Sequence, residues 1–173
     1  GYWRLKRSQP TRPMRLPDKS LVRDALAAAL ERTHQTMVNA AKATREGAIH
    51  EDSRAEGDKD MRSTEQSYLA RGQAMRVEDL AEQLQRLAGF SLERFDADGA
   101  IGAGALVLVE VDDAPRVFFV MPHGGGNVLR VDGVEVTVVT PSSPVGQALL
   151  GKQAGDEFEL TVRGAARQWV IDS

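Results

Sequence analysis

Residues 138–152 read VVTPSSPVGQALLGK, and a Gly-Asp pair follows at positions 155 and 156. The β-branched residues at the start of this stretch favour a strand. Ser143 is a good helix N-cap, and Pro144 fits the first helical position because the N–H that proline lacks has no partner there. The stretch therefore predicts a strand, then one short helix over residues 143–150, and a further strand after Asp156.

Other segments on both sides of this stretch have the composition of strands. They are rich in β-branched residues and are separated by Gly, Asp and Pro. Together with the strand before the short helix, they cover residues 105–111, 116–121, 134–139, 157–162 and 168–171. The run MPHGGG at residues 121–126 lacks the Gly-Lys-Ser/Thr ending of a phosphate loop, so we interpret it as a hairpin loop. The sequence predicts a compact α+β domain over residues 90–173 with an antiparallel sheet.

Residues 17–89 have the periodicity of helices instead. Asp18 or Ser20 provides the N-cap of a first helix, which we predict over residues 20–45 and expect to end at Gly47. A second helix is predicted to begin between residues 56 and 61 and to end near residue 87. The three- and four-residue spacing of a coiled-coil seam occurs in both, at Leu26, Leu30, Thr33, Met37, Ala40 and Thr44 and at Val77, Leu80, Leu84 and Leu87.

Two such helices separated by a short break predict an antiparallel coiled-coil hairpin, a rod of roughly 40 Å for about 28 residues per helix. The alternative is a pair of helices within a compact bundle. Met61, Tyr68 and Met75 form a second apolar line at steps of seven residues. Gly72 lies on the same helix, and since glycine costs about 1 kcal/mol in a helix interior, we interpret it as a point of close helix approach.

The net charge of −3 conceals two regions of opposite charge. Residues 1–20 carry six basic groups against one acid, and we expect residues 1–16 to form a flexible basic extension, with contact to nucleic acid or an acidic protein surface as the alternative. Six acids occur where the two helices meet, at Glu46, Glu51, Asp52, Glu56, Asp58 and Asp60. Most acidic clusters of this kind are solvated turns, so a function for this one needs a second signal.

The absence of cysteine excludes disulfide bonds and thiolate chemistry. The apolar runs are far shorter than the ~20 residues that span a bilayer, and no signal-peptide pattern follows the basic start. We therefore expect a cytoplasmic protein without membrane contact. We also expect a monomer when the protein is free, with self-association left open as the alternative.

The second signal is a resemblance. Residues 140–152, with Gly155-Asp156 and the strand after them, resemble the C-terminal domain of the GreA/GreB transcript cleavage factors, in which Ser-Pro, a small residue and Leu-(Leu/Ile)-Gly-Lys precede Gly-Asp. The resemblance extends over about residues 18–173. It implies an FKBP-like domain that docks on bacterial RNA polymerase at the mouth of the secondary channel. The residues that carry the match, and that we expect to bind the polymerase, are Ser143, Pro144, Leu150, Gly151, Lys152, Gly155 and Asp156.

The resemblance also implies a role for the acidic cluster. In the family, a coiled coil reaches down the channel, and two acids at its tip help to hold the second Mg²⁺ of the polymerase, which then cleaves the backtracked RNA 3′ end. Such a factor is not itself an enzyme, and the free protein does not hold the Mg²⁺. Aligning the second helices places Glu56 on the family glutamate and Asp58 near a later acid. The family aspartate falls on Ser53, with Asp52 one residue earlier.

These alignments give Asp52, Glu56 and Asp58 as the candidate catalytic residues, and Asp52 and Glu56 as the candidate Mg²⁺ ligands. Their altered spacing leaves a second hypothesis open, a Gre-like paralogue that occupies the channel without stimulating cleavage. A different class of function, a prolyl isomerase, requires an apolar pocket lined with aromatic side chains. Residues 91–173 offer few for that purpose, namely Phe95, Phe118, Phe119, Phe158 and Trp169.

Overall fold

The computed structural model describes residues 14–52, 59–92 and 99–173. Its elements follow one another as α1 (Lys19–Asp52), α2 (Lys59–Ala88), β1 (Leu106–Val111), β2 (Ala114–Val120), β3 (Val128–Val131), β4 (Val134–Val139), α3 (Pro144–Leu149), β5 (Glu157–Val162) and β6 (Ala165–Ile171). The predicted α+β class, with helices first and a sheet domain after them, is confirmed.

The described residues divide into two compact units. Residues 23–52 and 59–91 form one, which we call the helical unit. Residues 14–22, 92 and 99–173 form the other, the sheet unit, which contains all six strands and α3. None of the helices in these ranges is both long enough and apolar enough to cross a membrane.

The sheet has the strand order β3-β4-β2-β1-β6-β5. Four of its five pairings are antiparallel, as predicted, but β2 and β4 are parallel. The predicted antiparallel sheet is therefore confirmed in the main, and the parallel pair results from β3, a strand that the sequence analysis does not predict. The chain leaves β2, forms β3 at the edge of the sheet, and turns back into β4, which therefore runs in the same direction as β2.

The missed strand β3 had a local signal. Asp132 and Gly133 separate it from β4, and both have positive φ angles, 51° and 76°. This is the two-residue turn that joins antiparallel strands, and Asp-Gly is one of its preferred sequences. The run at residues 121–126, interpreted as a hairpin loop, instead connects β2 to β3, two strands that are not neighbours in the sheet.

Both faces of the central strands are buried. On one face Val107, Val109 and Phe118 belong to a core that also contains Trp169 and Leu149 of α3. On the other face Phe119, Val136 and Val138 are also buried. Burial on both faces explains why LVLV in β1 and VFFV in β2 are continuous apolar runs rather than alternating ones.

Helix α1 begins where the sequence predicts. The backbone N–H and the hydroxyl of Ser20 both donate to the Asp18 carboxylate, at 2.9 and 2.8 Å. The predicted end at Gly47 is wrong, because α1 continues to Asp52. Glycine destabilises a helix interior by only about 1 kcal/mol, and no proline follows Gly47 to end the helix. The residues on both sides of Gly47 therefore keep the segment helical. The second helix matches its predicted bounds.

The two helices lie side by side within the helical unit. Val38, Ala41 and Arg45 of α1 and Ala70, Ala74 and Val77 of α2 line one shared groove of about 310 Å³. If the two helices ran parallel with these groove residues side by side, residues 52 and 59 would be about 39 Å apart, at 1.5 Å of rise per helical residue. The six residues between them reach only about 25 Å when fully extended. The pair is therefore antiparallel, as predicted.

Among the described residues of the helical unit, the buried leucines lie towards the end away from the connection between the helices. Leu26, Leu30, Leu80 and Leu87 are buried there, as the seam predicted. Further along α1 the predicted seam is wrong at Thr33 and Ala40, which are exposed. Straight α-helices drift by about 20° per seven residues relative to an exact heptad repeat, so the line of seam residues turns away from the partner helix.

Trp169 provides a test of the core. Its ring stacks between Phe118 and Phe158, with centroid distances of 5.4 and 5.7 Å, but its buried indole N–H has no acceptor among the described residues. An unpaired buried donor costs about 1–3 kcal/mol. We expect Trp169→Phe to change the free energy of unfolding by less than about 1 kcal/mol, and Trp169→Ala to lower it by about 3–5 kcal/mol.

Urea denaturation of the three proteins measures this difference. A Trp169→Phe variant that is as unstable as Trp169→Ala would mean that the indole N–H is stabilising and not an unpaired donor.

Candidate functional site

The segment that carries the resemblance begins with a capped turn. Ser143 has extended backbone angles, and its hydroxyl donates to the Thr140 carbonyl at 2.7 Å and accepts from the Gly146 N–H at 3.0 Å. Pro144 then starts α3. The predicted N-cap is confirmed, and it leaves the Ser143 hydroxyl already engaged in two hydrogen bonds.

Gly146 has a structural role that sequence reasoning missed. A Cβ atom placed on it would lie 1.8 Å from the Thr140 carbonyl oxygen and 2.7 Å from the carbonyl carbon. Backbone atoms cannot move aside like the end of a side chain, so a larger residue requires the turn itself to shift. Glycine therefore allows β4 to lead directly into α3.

The glycines and the aspartate after α3 also shape the backbone. Gly151 and Gly155 have φ angles of 78° and 92°, a region that favours glycine. The Asp156 carboxylate accepts from the Gln153 N–H at 2.8 Å, and the Asp156 carbonyl accepts from the Ile171 N–H at 2.9 Å. These contacts fix the turn before β5 and join it to β6. Four of the seven predicted polymerase-binding residues thus organise the chain, namely Ser143, Gly151, Gly155 and Asp156.

The other three predicted polymerase-binding residues, Pro144, Leu150 and Lys152, have side chains at least partly exposed to solvent. Pro144 is exposed at the start of α3, and Leu150 is 36% exposed after its end. Lys152 is half-buried, and two backbone hydrogen bonds hold its segment, from the Gly151 N–H to the Ile101 carbonyl and from the Ile101 N–H to the Lys152 carbonyl, at 2.9 and 2.8 Å. We call residues 150–152 the docking segment, because it offers an apolar and a cationic group on a fixed backbone.

The Lys152 ammonium lies over an aromatic stack. Its Nζ atom is 4.8 Å from the ring centroid of Phe158, which stacks on Trp169, which in turn stacks on Phe118. At the other end of the stack, the Arg116 guanidinium carbon is 5.7 Å from the Phe118 centroid. A cation over an aromatic face gains about 0.5–1 kcal/mol at an exposed site, enough to restrict its orientation. The sequence had not indicated this arrangement.

The candidate acids are described only in part. Asp52 is the last residue of α1, so its backbone is helical, five residues beyond the predicted helix end at Gly47. Glu56 and Asp58 lie outside the described residues, as does Ser53. The convergence of Asp52 and Glu56 on one cation remains a prediction. Within the ranges that the structure describes, no three His, Cys, Asp or Glu side chains cluster as metal ligands.

A cavity of about 320 Å³ lies within the sheet unit. Its lining includes Leu16, Pro17, Ile101, Val107, Ile171 and Lys19, and burial lowers the pKa of the Lys19 ammonium. None of the described residues around it is aromatic. The aromatic side chains Phe118, Phe158 and Trp169 pack on one another instead. This cavity therefore does not match the aromatic-lined pocket that a prolyl isomerase requires.

No family model and no curated protein matches the chain. Among solved structures, the chain is similar to GreA factor homolog 1 (Gfh1) of Thermus thermophilus, with 23% identity over 87% of this chain and 92% of that chain and a TM-score of 0.35. It is also similar to Thermus aquaticus Gfh1, with 18% identity over 87% of this chain and 94% of that chain and a TM-score of 0.36. A further structure of the transcription factor Gfh1 gives 20% identity, coverage of 86% and 94%, and a TM-score of 0.35. The strand order and helix bounds, and not this overall similarity, define the fold.

Two adjacent serines test the structural role of the capped turn. Ser143→Ala removes the N-cap and one bond to the Thr140 carbonyl, so we expect it to lower the free energy of unfolding by about 1–2 kcal/mol. Ser142 is exposed, and we expect Ser142→Ala to change the free energy of unfolding by less than about 0.5 kcal/mol. Thermal or urea denaturation measures both. Equal effects of the two substitutions would contradict the assignment of the cap to Ser143.

Proposed function

We propose that this protein is a Gre-like transcription factor that binds bacterial RNA polymerase with its sheet unit and inserts its helical unit into the secondary channel. There it stimulates the Mg²⁺-dependent cleavage of the backtracked RNA 3′ end. The polymerase provides the nucleolytic centre, and this chain is an accessory factor rather than an enzyme. The observation that carries the proposal is the fixed backbone of residues 140–156, in which the residues of the Gre-like motif form a single strand–helix–turn unit.

The side chains that this strand–helix–turn unit exposes to solvent support docking through it. The capping and glycine residues of the motif are used to shape the chain, so the side chains available to a partner are those of Pro144, Leu150 and Lys152. An exposed leucine beside an oriented ammonium suits a protein surface with an apolar patch and a carboxylate. Interfaces of this kind depend on a few anchoring side chains more than on area.

Channel insertion is supported by the shape of the helical pair. The 34 residues of α1 and the 30 residues of α2 correspond to about 51 and 45 Å at 1.5 Å per residue. Small side chains, Ala41, Ala70 and Ala74, line the groove between the helices. Two helices joined by a narrow seam of this kind make a slender rod, which is the form that a channel admits.

A role for the acids is supported by the chemistry of their side chains. Mg²⁺ binds hard oxygen ligands and keeps several of its waters, so one or two carboxylates brought from outside are a sufficient addition to a polymerase site. In a two-metal site, the added cation stabilises charge on the attacking and leaving oxygens of a phosphodiester. Clustered carboxylates also repel one another, and a cation relieves that repulsion. Asp52 and Glu56 are the acids that we assign to this role.

A second candidate function follows from the position of Asp52. Because Ser53 occupies the place of the family aspartate, and because the nearest preceding acid, Asp52, ends α1, the spacing of the two acids differs from the family pattern. A Gre-like paralogue with such a tip occupies the channel and modulates transcription without cleavage.

Cleavage of backtracked RNA distinguishes the two functions. We expect the wild-type protein to shorten the RNA in a stalled, backtracked elongation complex, and we expect Asp52→Ala combined with Glu56→Ala to slow this cleavage by about 100-fold or more while binding persists. Asp79→Asn combined with Glu82→Gln removes two exposed acids from the other end of α2 and should leave the rate unchanged.

Binding without cleavage by the wild-type protein would favour the paralogue. Full cleavage by the Asp52 and Glu56 double variant would eliminate the assignment of these acids. A protein that does not bind polymerase at all would contradict both functions.

The docking segment has its own test in polymerase binding. Leu150→Asp places a charge on an exposed apolar anchor, and we expect it to weaken binding at least about tenfold. Val128→Asp makes the same change at an exposed apolar residue on the edge strand β3, and we expect little effect. Fluorescence anisotropy with labelled protein and core polymerase compares them. Equal affinities for the two variants would place the interface elsewhere on the sheet unit.

A further inference from the structure

Lys152 of the docking segment has no acid of its own chain as a partner. Its ammonium forms no ion pair with any carboxylate that the structure describes, whereas Arg130 of the same unit lies 3.9 Å from Glu135. The acid nearest to Lys152 in the sequence, Asp156, already accepts a hydrogen bond from the Gln153 N–H at 2.8 Å. The charge of Lys152 is therefore available to a carboxylate of another molecule.

The ring of Phe158 occupies one side of this ammonium. The Lys152 Nζ atom is 4.8 Å from the ring centroid, and a cation at this distance over the face of an aromatic ring is attracted by its π electrons. An ammonium has three N–H donors, and an aromatic face does not accept the strong hydrogen bonds that a carboxylate accepts. The N–H groups that point away from the ring therefore stay open to an anionic partner.

The backbone and the core hold both members of this pair in place. The Lys152 N–H donates to the Leu149 carbonyl at 3.1 Å, and the Lys152 carbonyl accepts from the Ile101 N–H at 2.8 Å. Phe158 lies opposite Trp169 in the pairing of β5 with β6, and the two rings stack with their centroids 5.7 Å apart. A lysine side chain whose orientation is already restricted loses less conformational entropy when a partner fixes it. This arrangement favours a binding contact.

We propose that Phe158 is a positioning residue of the polymerase-docking surface, and that it holds the Lys152 ammonium ready for the carboxylate of an aspartate or glutamate of the polymerase. The inference rests on the proposed function and deepens it, because it names the chemistry of the partner and adds a residue outside the Gre-like motif. Phe158 acts through Lys152, and the exposed Leu150 on the same segment provides the apolar part of the contact.

The other end of the aromatic stack offers a matched control. Phe158 also packs against the core, so a loss of stability alone does not identify a positioning role. Arg116 is exposed, and its guanidinium carbon is 5.7 Å from the ring centroid of Phe118, with Trp169 between that ring and Phe158. Arg116→Met therefore removes one positive charge from over the same stack, away from the docking segment.

The affinity of the full chain for core polymerase, measured by fluorescence anisotropy, tests the proposal. We expect Lys152→Met to weaken binding at least about tenfold, because it removes a charge-assisted hydrogen bond at the interface. We expect Phe158→Leu to weaken binding about threefold to fivefold, the effect of losing one cation–aromatic contact. Phe158→Tyr keeps the aromatic face, and Arg116→Met lies elsewhere, so both should bind within about twofold of the wild-type protein.

A double-mutant cycle separates positioning from packing. In the Lys152→Met background, Phe158→Leu should change the affinity by less than about 1.5-fold, because a positioning residue has no effect once the group that it positions is absent. Added salt should weaken wild-type binding more steeply than binding of the Lys152→Met variant, since salt screens the charge pair that this variant lacks.

The orientation of Lys152 is also observable in the protein without polymerase. Protons above the face of an aromatic ring resonate upfield in NMR spectra. We therefore expect the ε-methylene protons of Lys152 to lie upfield of those of the other lysines in the wild-type protein and in Phe158→Tyr, but not in Phe158→Leu. The Lys152→Met variant identifies these signals by their loss.

The outcomes distinguish this inference from the proposed function. Wild-type binding combined with full affinity of Phe158→Leu, with an equal loss from Phe158→Leu in both backgrounds, or with Lys152→Met no weaker than Arg116→Met would overturn the inference alone. Lysine signals that do not respond to Phe158→Leu would overturn it as well. A wild-type protein that does not bind polymerase would contradict the proposed function, and the inference with it.

Discussion

The contact between Gly146 and the Thr140 carbonyl is the constraint on which the sheet unit depends. With the Ser143 hydroxyl joining the same carbonyl to the Gly146 N–H, it turns the chain from β4 into α3 within a few residues. This turn buries Leu149 in the core and brings residues 151 and 152 to the backbone of Ile101. The position of the docking segment is therefore set by backbone contacts. Substitutions in the motif act first on where its exposed side chains lie, and only then on their chemistry.

The parts of this fold that could be predicted from the sequence are those decided by neighbouring residues. The short helix was predictable because a serine cap and a proline act within one turn. Long β-branched runs identified five strands for the same reason. The strand β3 has only four residues, of which Val128 is exposed, and its place depends on pairing with β4, which lies beyond it in the sequence. The parallel pairing of β2 with β4 followed from that strand and was missed with it. Gly47 shows the opposite error, in which one unfavourable residue was given more weight than the helix around it.

The sequence identified the residues of the candidate site better than it identified what each of them does. Ser143 was predicted both as a cap and as a polymerase contact, and its two hydrogen bonds establish the first role. The need for glycine at position 146 depends on a distance across the turn, which no local pattern contains. Likewise, the sequence places Asp52 and Glu56 near one another along the chain, but their meeting at a cation depends on how the backbone continues after α1. Spacing along a chain predicts convergence only where the secondary structure between the residues is known.

The two faces of α2 differ in their surroundings: one lies against α1 and the other is exposed to solvent. Its inner face carries Ala70, Ala74 and Val77 along the groove shared with α1, and the buried Leu80 and Leu87 farther from the connection. Its outer face carries Tyr68, Leu69 and Met75 in water, an arrangement that proteins rarely keep as a contiguous patch without a partner. A rod that enters a channel must be narrow, and packed helix axes are about 8–10 Å apart, so packing through small side chains on the inner face suits the proposed insertion, whereas any partner bound to the outer face would widen the rod.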